Sequence, residues 1–173
     1  MHIQVGEPSF DQEEVDNVTR VVKEGRVSRG KELEEFEQAL ARYLGVKYVV
    51  TVNSGTAALE VITTTTSCAP TANGIIHAGN TPVLVDVFSQ KYVIDTAQIE
   101  KHITKDTAVI MPVHIYGRPC NMDEVMAIAR KHNLRVIEDC AQSFGSKWDG
   151  KLTGTFGDVG CFSLNVIKII TTG

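Results

Sequence analysis

Apolar residues recur along this chain with two different periods. Val15, Val18, Val21 and Val22 fall on one helical face in an acidic segment that stops at Gly25, and Leu33, Phe36, Leu40 and Leu44 repeat the spacing before Gly45. Two amphipathic helices are therefore predicted ahead of the first strand. That strand is YVVTV, Tyr48 to Val52, a β-branched apolar run of the kind that a sheet covered on both faces requires. Further strands are predicted at Pro82 to Val87, Ala108 to Val113, Leu134 to Asp139 and Gly160 to Leu164. Between the third and fourth lies a helix with Asn121 as its cap and Met122, Val125, Met126 and Ala129 as its inner face. Trp148-Asp149-Gly150-Lys151 is a hairpin signal, because Asp-Gly suits a type I′ turn. Alternating strands and helices predict a three-layer α/β domain, or part of one, with a mainly parallel sheet.

Composition narrows the function without naming it. The chain has 173 residues, 43% of them hydrophobic, which is enough for an ordinary core and argues against disorder. Lys and Arg number 17 against 21 Asp and Glu, so no basic footprint for nucleic acid is present. MHIQVGEPSFDQEE has neither a basic start nor an apolar core region, and no uncharged apolar run approaches the roughly 18 residues of a membrane span. A soluble, cytoplasmic protein is expected. The four cysteines, Cys68, Cys120, Cys140 and Cys161, form no CxxC or Cys/His ligand pair, so reduced, mostly buried thiols and no metal are expected.

Three places could carry chemistry. Asn53-Ser54-Gly55-Thr56-Ala57-Ala58 follows the first predicted strand and opens a helix-forming run; it reads either as a plain helix cap or as a turn whose free N–H groups receive an anion. Asp139, in IEDCAQS, stands at the carboxyl end of an apolar strand, where open α/β sheets place their ligands. It is either a capping or salt-bridged carboxylate, or one that holds a cationic ring nitrogen with Gln142 reaching the same ligand. Lys168 is flanked by Ile167, Ile169 and Ile170. Its head either reaches water along an apolar surface, or is desolvated enough to act as an amine nucleophile.

Taken together, an anion turn, a strand-end aspartate and a lysine in apolar surroundings resemble fold type I pyridoxal-phosphate enzymes. The segments VNSGTAALE, PVHIYGRPCNMDEVMAIARKHNLRVIEDCAQSFGS and GTFGDVGCFSLNVIKIITTG are more closely similar to the DegT-type family of nucleotide-sugar aminotransferases (DegT/DnrJ/StrS). The opening, from GEPSFDQEEVDNV to YLGVKYVV, is similar too. The resemblance implies a three-layer α/β/α large domain, present here incompletely as residues 1–173, without the C-terminal small domain. It implies pyridoxal 5′-phosphate as cofactor, with Gly55, Thr56 and Ala57 holding the phosphate and Ser163 adding its hydroxyl. Asp139 would pair with the pyridinium nitrogen and Gln142 would lie beside the ring hydroxyl. Cys68 would contact the ring where relatives often stack an aromatic residue. Lys168 would carry the cofactor and later shuttle a proton. His114 and Tyr116 match a family motif and are assigned packing or positioning. The implied partners are a nucleotide-linked keto-deoxy sugar, glutamate as amino donor and a second copy of the chain in a homodimer. The product would serve polysaccharide or glycan precursor synthesis. PLP-dependent sugar dehydration uses histidine at the lysine position, and Lys168 argues against it.

The chain also departs from the family. About a dozen residues look absent after Glu60, Ile167 stands where relatives are usually polar, and the text stops at Gly173 about halfway through. A truncated, non-catalytic remnant or accessory protein that keeps only the fold is the competing reading. The 173-residue polypeptide is expected to be unstable or to self-associate, and to show little or no turnover, because half a domain leaves core surface open to water. A monomeric, cooperatively melting protein with normal turnover would contradict that expectation.

Overall fold

The computed structural model describes residues 9–25, 30–52, 63–165 and 168–170. The predicted turn at Ser54, Gly55, Thr56 and Ala57 lies outside these residues, as does Ile167. The described residues fall into two compact units, one holding residues 9–25, 30–51 and Asn165, the other Val52, 63–164 and 168–170.

In the first unit, α1 spans Gln12–Lys23 and α2 spans Lys31–Leu44. A capping box starts α1: Asp11 Oδ1 accepts from Glu13 N–H at 2.8 Å, and Asp11 N–H donates to Glu14 Oε2 at 2.8 Å. Gly45, at φ 69°, ends α2 in the left-handed region where a Cβ would be strained. Both helices follow the predicted spacing, but only α2 has buried residues, Leu40 and Leu44. Val15, Val18 and Val22 of α1 are exposed. The predicted strand Tyr48 to Val52 is a difference. It is irregular, with Tyr48 74% and Val50 78% exposed. Its apolar run suits a sheet interior, yet Thr51 sends both its N–H and its hydroxyl to Glu37 Oε1, at 2.8 and 2.7 Å, in place of a ladder.

The second unit is built on a parallel sheet of order β1–β2–β5: β1 is Val109–Ile110, β2 Arg135–Asp139 and β5 Val159–Cys161. Val109 and Ile110 pair with Arg135 and Val136; Ile137, Glu138 and Asp139 pair with Val159, Gly160 and Cys161. The predicted strand at Pro82 to Val87 contributes only single bridges, Val85 with Thr64 and Val87 with Ile94. Successive residues of β2 point to opposite faces. Val136 enters one apolar cluster with Val125 and Ala129 of α5 (Met122–His132), while Ile137 packs on another made of Met111, Cys161 and Ile75 of α3 (Ala69–His77). With helix residues packed on each face of β2, the arrangement has three layers.

Local signals explain the remaining elements. Asn121 caps α5 through Glu124 N–H at 3.3 Å, and Asn133, at φ 54°, closes it. A short helix, α4 (Thr96–His102), is capped by Asp95. The hairpin pairs β3 (Lys147–Trp148) with β4 (Lys151–Leu152), and Asp149 and Gly150 both have positive φ, as a type I′ turn demands.

The chain then folds tightly back to reach β5. A Cβ on Gly160 would lie 2.2 Å from the carbonyl oxygen of Gly154, and one on Gly157 would lie 2.6 Å from the carbonyl oxygen of Val136. Backbone cannot retreat as a flexible side chain can. Gly160→Ala is therefore expected to destabilise the unit by about 1–3 kcal/mol, read as a lower urea midpoint at an unchanged slope.

Candidate active site

Strand β2 ends in two adjacent carboxylates, Glu138 and Asp139, both buried and on opposite faces of the sheet. Glu138 is fully enclosed. Its Oε2 accepts from His114 Nε2 at 3.1 Å and from Gly154 N–H at 2.7 Å; its Oε1 accepts from Phe156 N–H at 2.7 Å and Gly157 N–H at 2.8 Å. His114 Nδ1 receives Cys120 N–H at 3.0 Å, so the ring carries its proton on Nε2 and donates it to Glu138. Burial pushes the Glu138 carboxyl up, but the bonds from His114, Gly157 and Gly154 outweigh it and hold the group below the usual glutamate value. His114, Glu138 and Cys140 bring ligand-type atoms within 4.8 Å of one another. Four donors already occupy the four lone-pair positions of Glu138, so its carboxylate is a closed structural knot with no acceptor position left for a cation.

Asp139 is the opposite case. It is 3% exposed and faces the α3 side, where Oδ2 accepts from Thr71 Oγ1 at 3.0 Å and Oδ1 from Ala141 N–H at 3.0 Å. Each oxygen keeps acceptor capacity, and among the described residues no cation pairs with it. A buried carboxylate without a cation is costly unless something cationic completes it. Gln142, beside Asp139, accepts Tyr116 N–H on Oε1 at 3.1 Å and donates to Cys68 Sγ at 3.6 Å. Cys68 immediately precedes α3, whose Thr71 holds Asp139. The structure thus joins Cys68 directly to Gln142 and, through Thr71 of α3, links that segment to Asp139. Ser163 and Lys168 are half-buried and follow β5, whose Cys161 is the register partner of Asp139. Gly55, Thr56 and Ala57 lie outside the described residues. A buried acceptor without a cation, a neighbouring amide and a half-buried lysine downstream fit a cationic, carbonyl-bearing ring cofactor.

Residues 8–173 match the model of the DegT/DnrJ/EryC1/StrS aminotransferase family. The chain belongs to that family. It is 40% identical to GDP-perosamine synthase of Caulobacter vibrioides over 185 aligned positions, covering 99% of this chain and 50% of that protein. Among solved structures, an aminotransferase from Psychrobacter cryohalolentis matches with a TM-score of 0.91 and 37% identity, over 96% of this chain and 46% of that one. A Streptococcus pneumoniae protein in a PLP form matches with a TM-score of 0.93 and 26% identity, over 99% and 51%. The DegT-type chain spans about half the length of the curated relatives it matches. Because 185 aligned positions exceed 173 residues, the Caulobacter relative also carries residues with no counterpart here.

The two residues that organise this region went unassigned in the sequence. Glu138 was legible as a polar position within an apolar strand, and strand alternation alone sets it opposite Asp139. Its four donors come from segments distant in sequence, which no local pattern reveals. Thr71 carried a weaker signal: it follows Pro70, a residue favoured in the first turn of a helix. The cysteines are thiols: Cys120, Cys140 and Cys161 are buried, and Cys68 is exposed. Burial pushes the Cys120 thiol up to about 12 and that of Cys161 to about 11.

Glu138 makes stability depend on pH. Its folded value is depressed, so its contribution is complete above the ordinary glutamate range near 4.5 and is lost as pH falls through the lower native value. Glu138→Gln is expected to cost about 3 kcal/mol at pH 7. In urea titrations the gap between the two proteins should narrow below pH 4.5, where the wild-type carboxyl takes up a proton.

Proposed function

We propose that this chain is the N-terminal, cofactor-binding part of a PLP-dependent aminotransferase that moves an amino group, with glutamate as donor, to a nucleotide-linked keto-deoxy sugar. The reading places it in the cytoplasm, in polysaccharide or glycan precursor synthesis, and as one half of each site in a homodimer. The observation that carries it is Asp139, a buried carboxylate at the carboxyl end of β2 with two neutral donors, spare acceptor capacity and no cation among the described residues. Family membership and the name of the perosamine-synthase relative support the substrate class.

In this reading each residue has one task. Asp139 accepts the N–H of a pyridinium ring and keeps that proton in place. Gln142, already oriented by Tyr116 N–H, lies beside the ring hydroxyl. Cys68 contacts the ring, and Ser163 joins Gly55, Thr56 and Ala57 in binding the phosphate. Bound PLP supplies an electron sink for the pair released when a substrate C–H bond breaks. Lys168 supplies the amine that carries the cofactor; when free, its Nζ accepts and returns the substrate proton.

A second reading is favoured by the internal length difference from the Caulobacter relative: a protein that keeps the fold and has lost the reaction. One titration separates them. Pyridoxal phosphate added to the purified chain should produce an absorbance band near the visible edge, and borohydride should fix the added mass on Lys168. Lys168→Ala should abolish the band, and Asp139→Asn should raise the apparent Kd at least about 30-fold, the equivalent of ~2 kcal/mol. No band, or an unchanged band in Lys168→Ala, favours the remnant.

A further inference from the structure

One hydrogen-bond chain ends on Asp139, and its direction follows from the chemistry of its members. As a carboxylate, Asp139 only accepts. Thr71 Oγ1 lies 3.0 Å from Asp139 Oδ2, so the single hydroxyl proton of Thr71 is committed to that oxygen. Ser67 Oγ lies 2.6 Å from Thr71 Oγ1, where either oxygen could donate by geometry alone. With the Thr71 proton already used, Ser67 donates to Thr71. The relay therefore runs from Ser67 through Thr71 to Asp139, and hydrogen bonds in such a chain polarise one another in the same sense.

The relay is also anchored. Thr71 is buried with Gly74 and Ile75 on the inner face of α3, and Ile75 packs with Met111 and Cys161, the register partner of Asp139. Thr71 N–H closes onto Cys68 O at 3.0 Å, which ties the relay to the residue that touches Gln142. On the other side, Ala141 N–H holds Oδ1. Two donors from different elements thus fix the plane of the carboxylate, and what remains of its acceptor capacity points where these donors do not.

We propose that Thr71 is a positioning residue for Asp139: it holds the carboxylate so that the free lone pairs meet the ring N–H of the cofactor, and Ser67 strengthens its donation. The cofactor part of this inference rests on the function proposed above, whereas the relay exists without any cofactor. Thr71→Val keeps the side-chain shape and removes the donor; Thr71→Ser keeps the donor.

The cofactor-free arm uses NMR on the whole chain. The Thr71 hydroxyl proton should exchange slowly with water in the wild type, and that protection should vanish in Asp139→Ala. In the loaded arm, Thr71→Val should raise the apparent Kd for pyridoxal phosphate about tenfold and move the pH midpoint of the visible band, while Thr71→Ser stays within about twofold of wild type. A purely structural loss would not move that midpoint and be restored by serine. Ser67→Ala, which leaves α3 itself intact, should weaken binding about threefold and serves if Thr71→Val loses its helical circular dichroism. A rapidly exchanging hydroxyl, or a wild-type band and affinity in both Thr71→Val and Ser67→Ala, overturns the inference. A protected hydroxyl together with no band in the wild type overturns the cofactor reading and the cofactor role of Thr71 with it, and supports the relay alone.

Discussion

The carboxylate of Glu138 is the interaction on which the second unit depends. Four donors converge on it: the Nε2–H of His114, and the backbone N–H groups of Gly154, Phe156 and Gly157. Those donors belong to two segments outside the named strands, the turn after Val113 and the return to β5. Without the carboxylate, three part-buried backbone N–H groups would lose their acceptor, each at a cost of up to about 1–3 kcal/mol. The glycines are a condition of the same contact. Gly157 and Gly160 let backbone approach backbone closely, and Gly154 leaves room for the Phe162 ring, so that the N–H groups can reach one side chain. Both segments matter because His114 N–H bonds to Asp139 O and β5 pairs with Asp139 through Cys161, so the knot around Glu138 fixes the backbone of its neighbour.

Neighbouring residues of one strand thus carry the same chemical group to different ends. Glu138 has every acceptor position filled and is structural. Asp139, one residue on and one face over, has two donors and room for more. The difference is not in the side chains, whose carboxyl groups are alike, but in what each face of the sheet supplies: backbone N–H groups and an imidazole on one, a hydroxyl and one N–H on the other. A saturated carboxylate resists change, whereas an unsaturated buried one stores a demand for a positive partner. That contrast separates the trio of His114, Glu138 and Cys140, which could be taken for a metal site by its atom types, from a place where a ligand can contribute.

Much of this was legible in the chain. The helix over Met122–His132, its Asn121 cap, the Asp149-Gly150 turn, the strand ending at Asp139 and the parallel, layered architecture all follow from periodicity and turn chemistry. Asp139, Gln142 and Cys68 were singled out from motif and resemblance; Gln142 bonds to Cys68, and Thr71, three residues after Cys68, bonds to Asp139. One expectation failed. The run from Tyr48 to Val52 has the pattern of a buried strand, but a pattern states only which residues would be buried if partners were there. Among the described residues those partners are not supplied, and Thr51 turns to Glu37 instead.

By itself, the sequence determined most local elements and the family, because capping, periodicity and motif are properties of nearby residues. Tertiary structure decided the rest. Which of two adjacent carboxylates is closed and which is open, that Thr71 donates to Asp139 from 68 residues away, and that His114 carries its proton on Nε2 all depend on atoms brought together from distant segments. The physical reason is that a hydrogen bond is satisfied by proximity in space, and strand alternation turns a single step along the chain into a change of face.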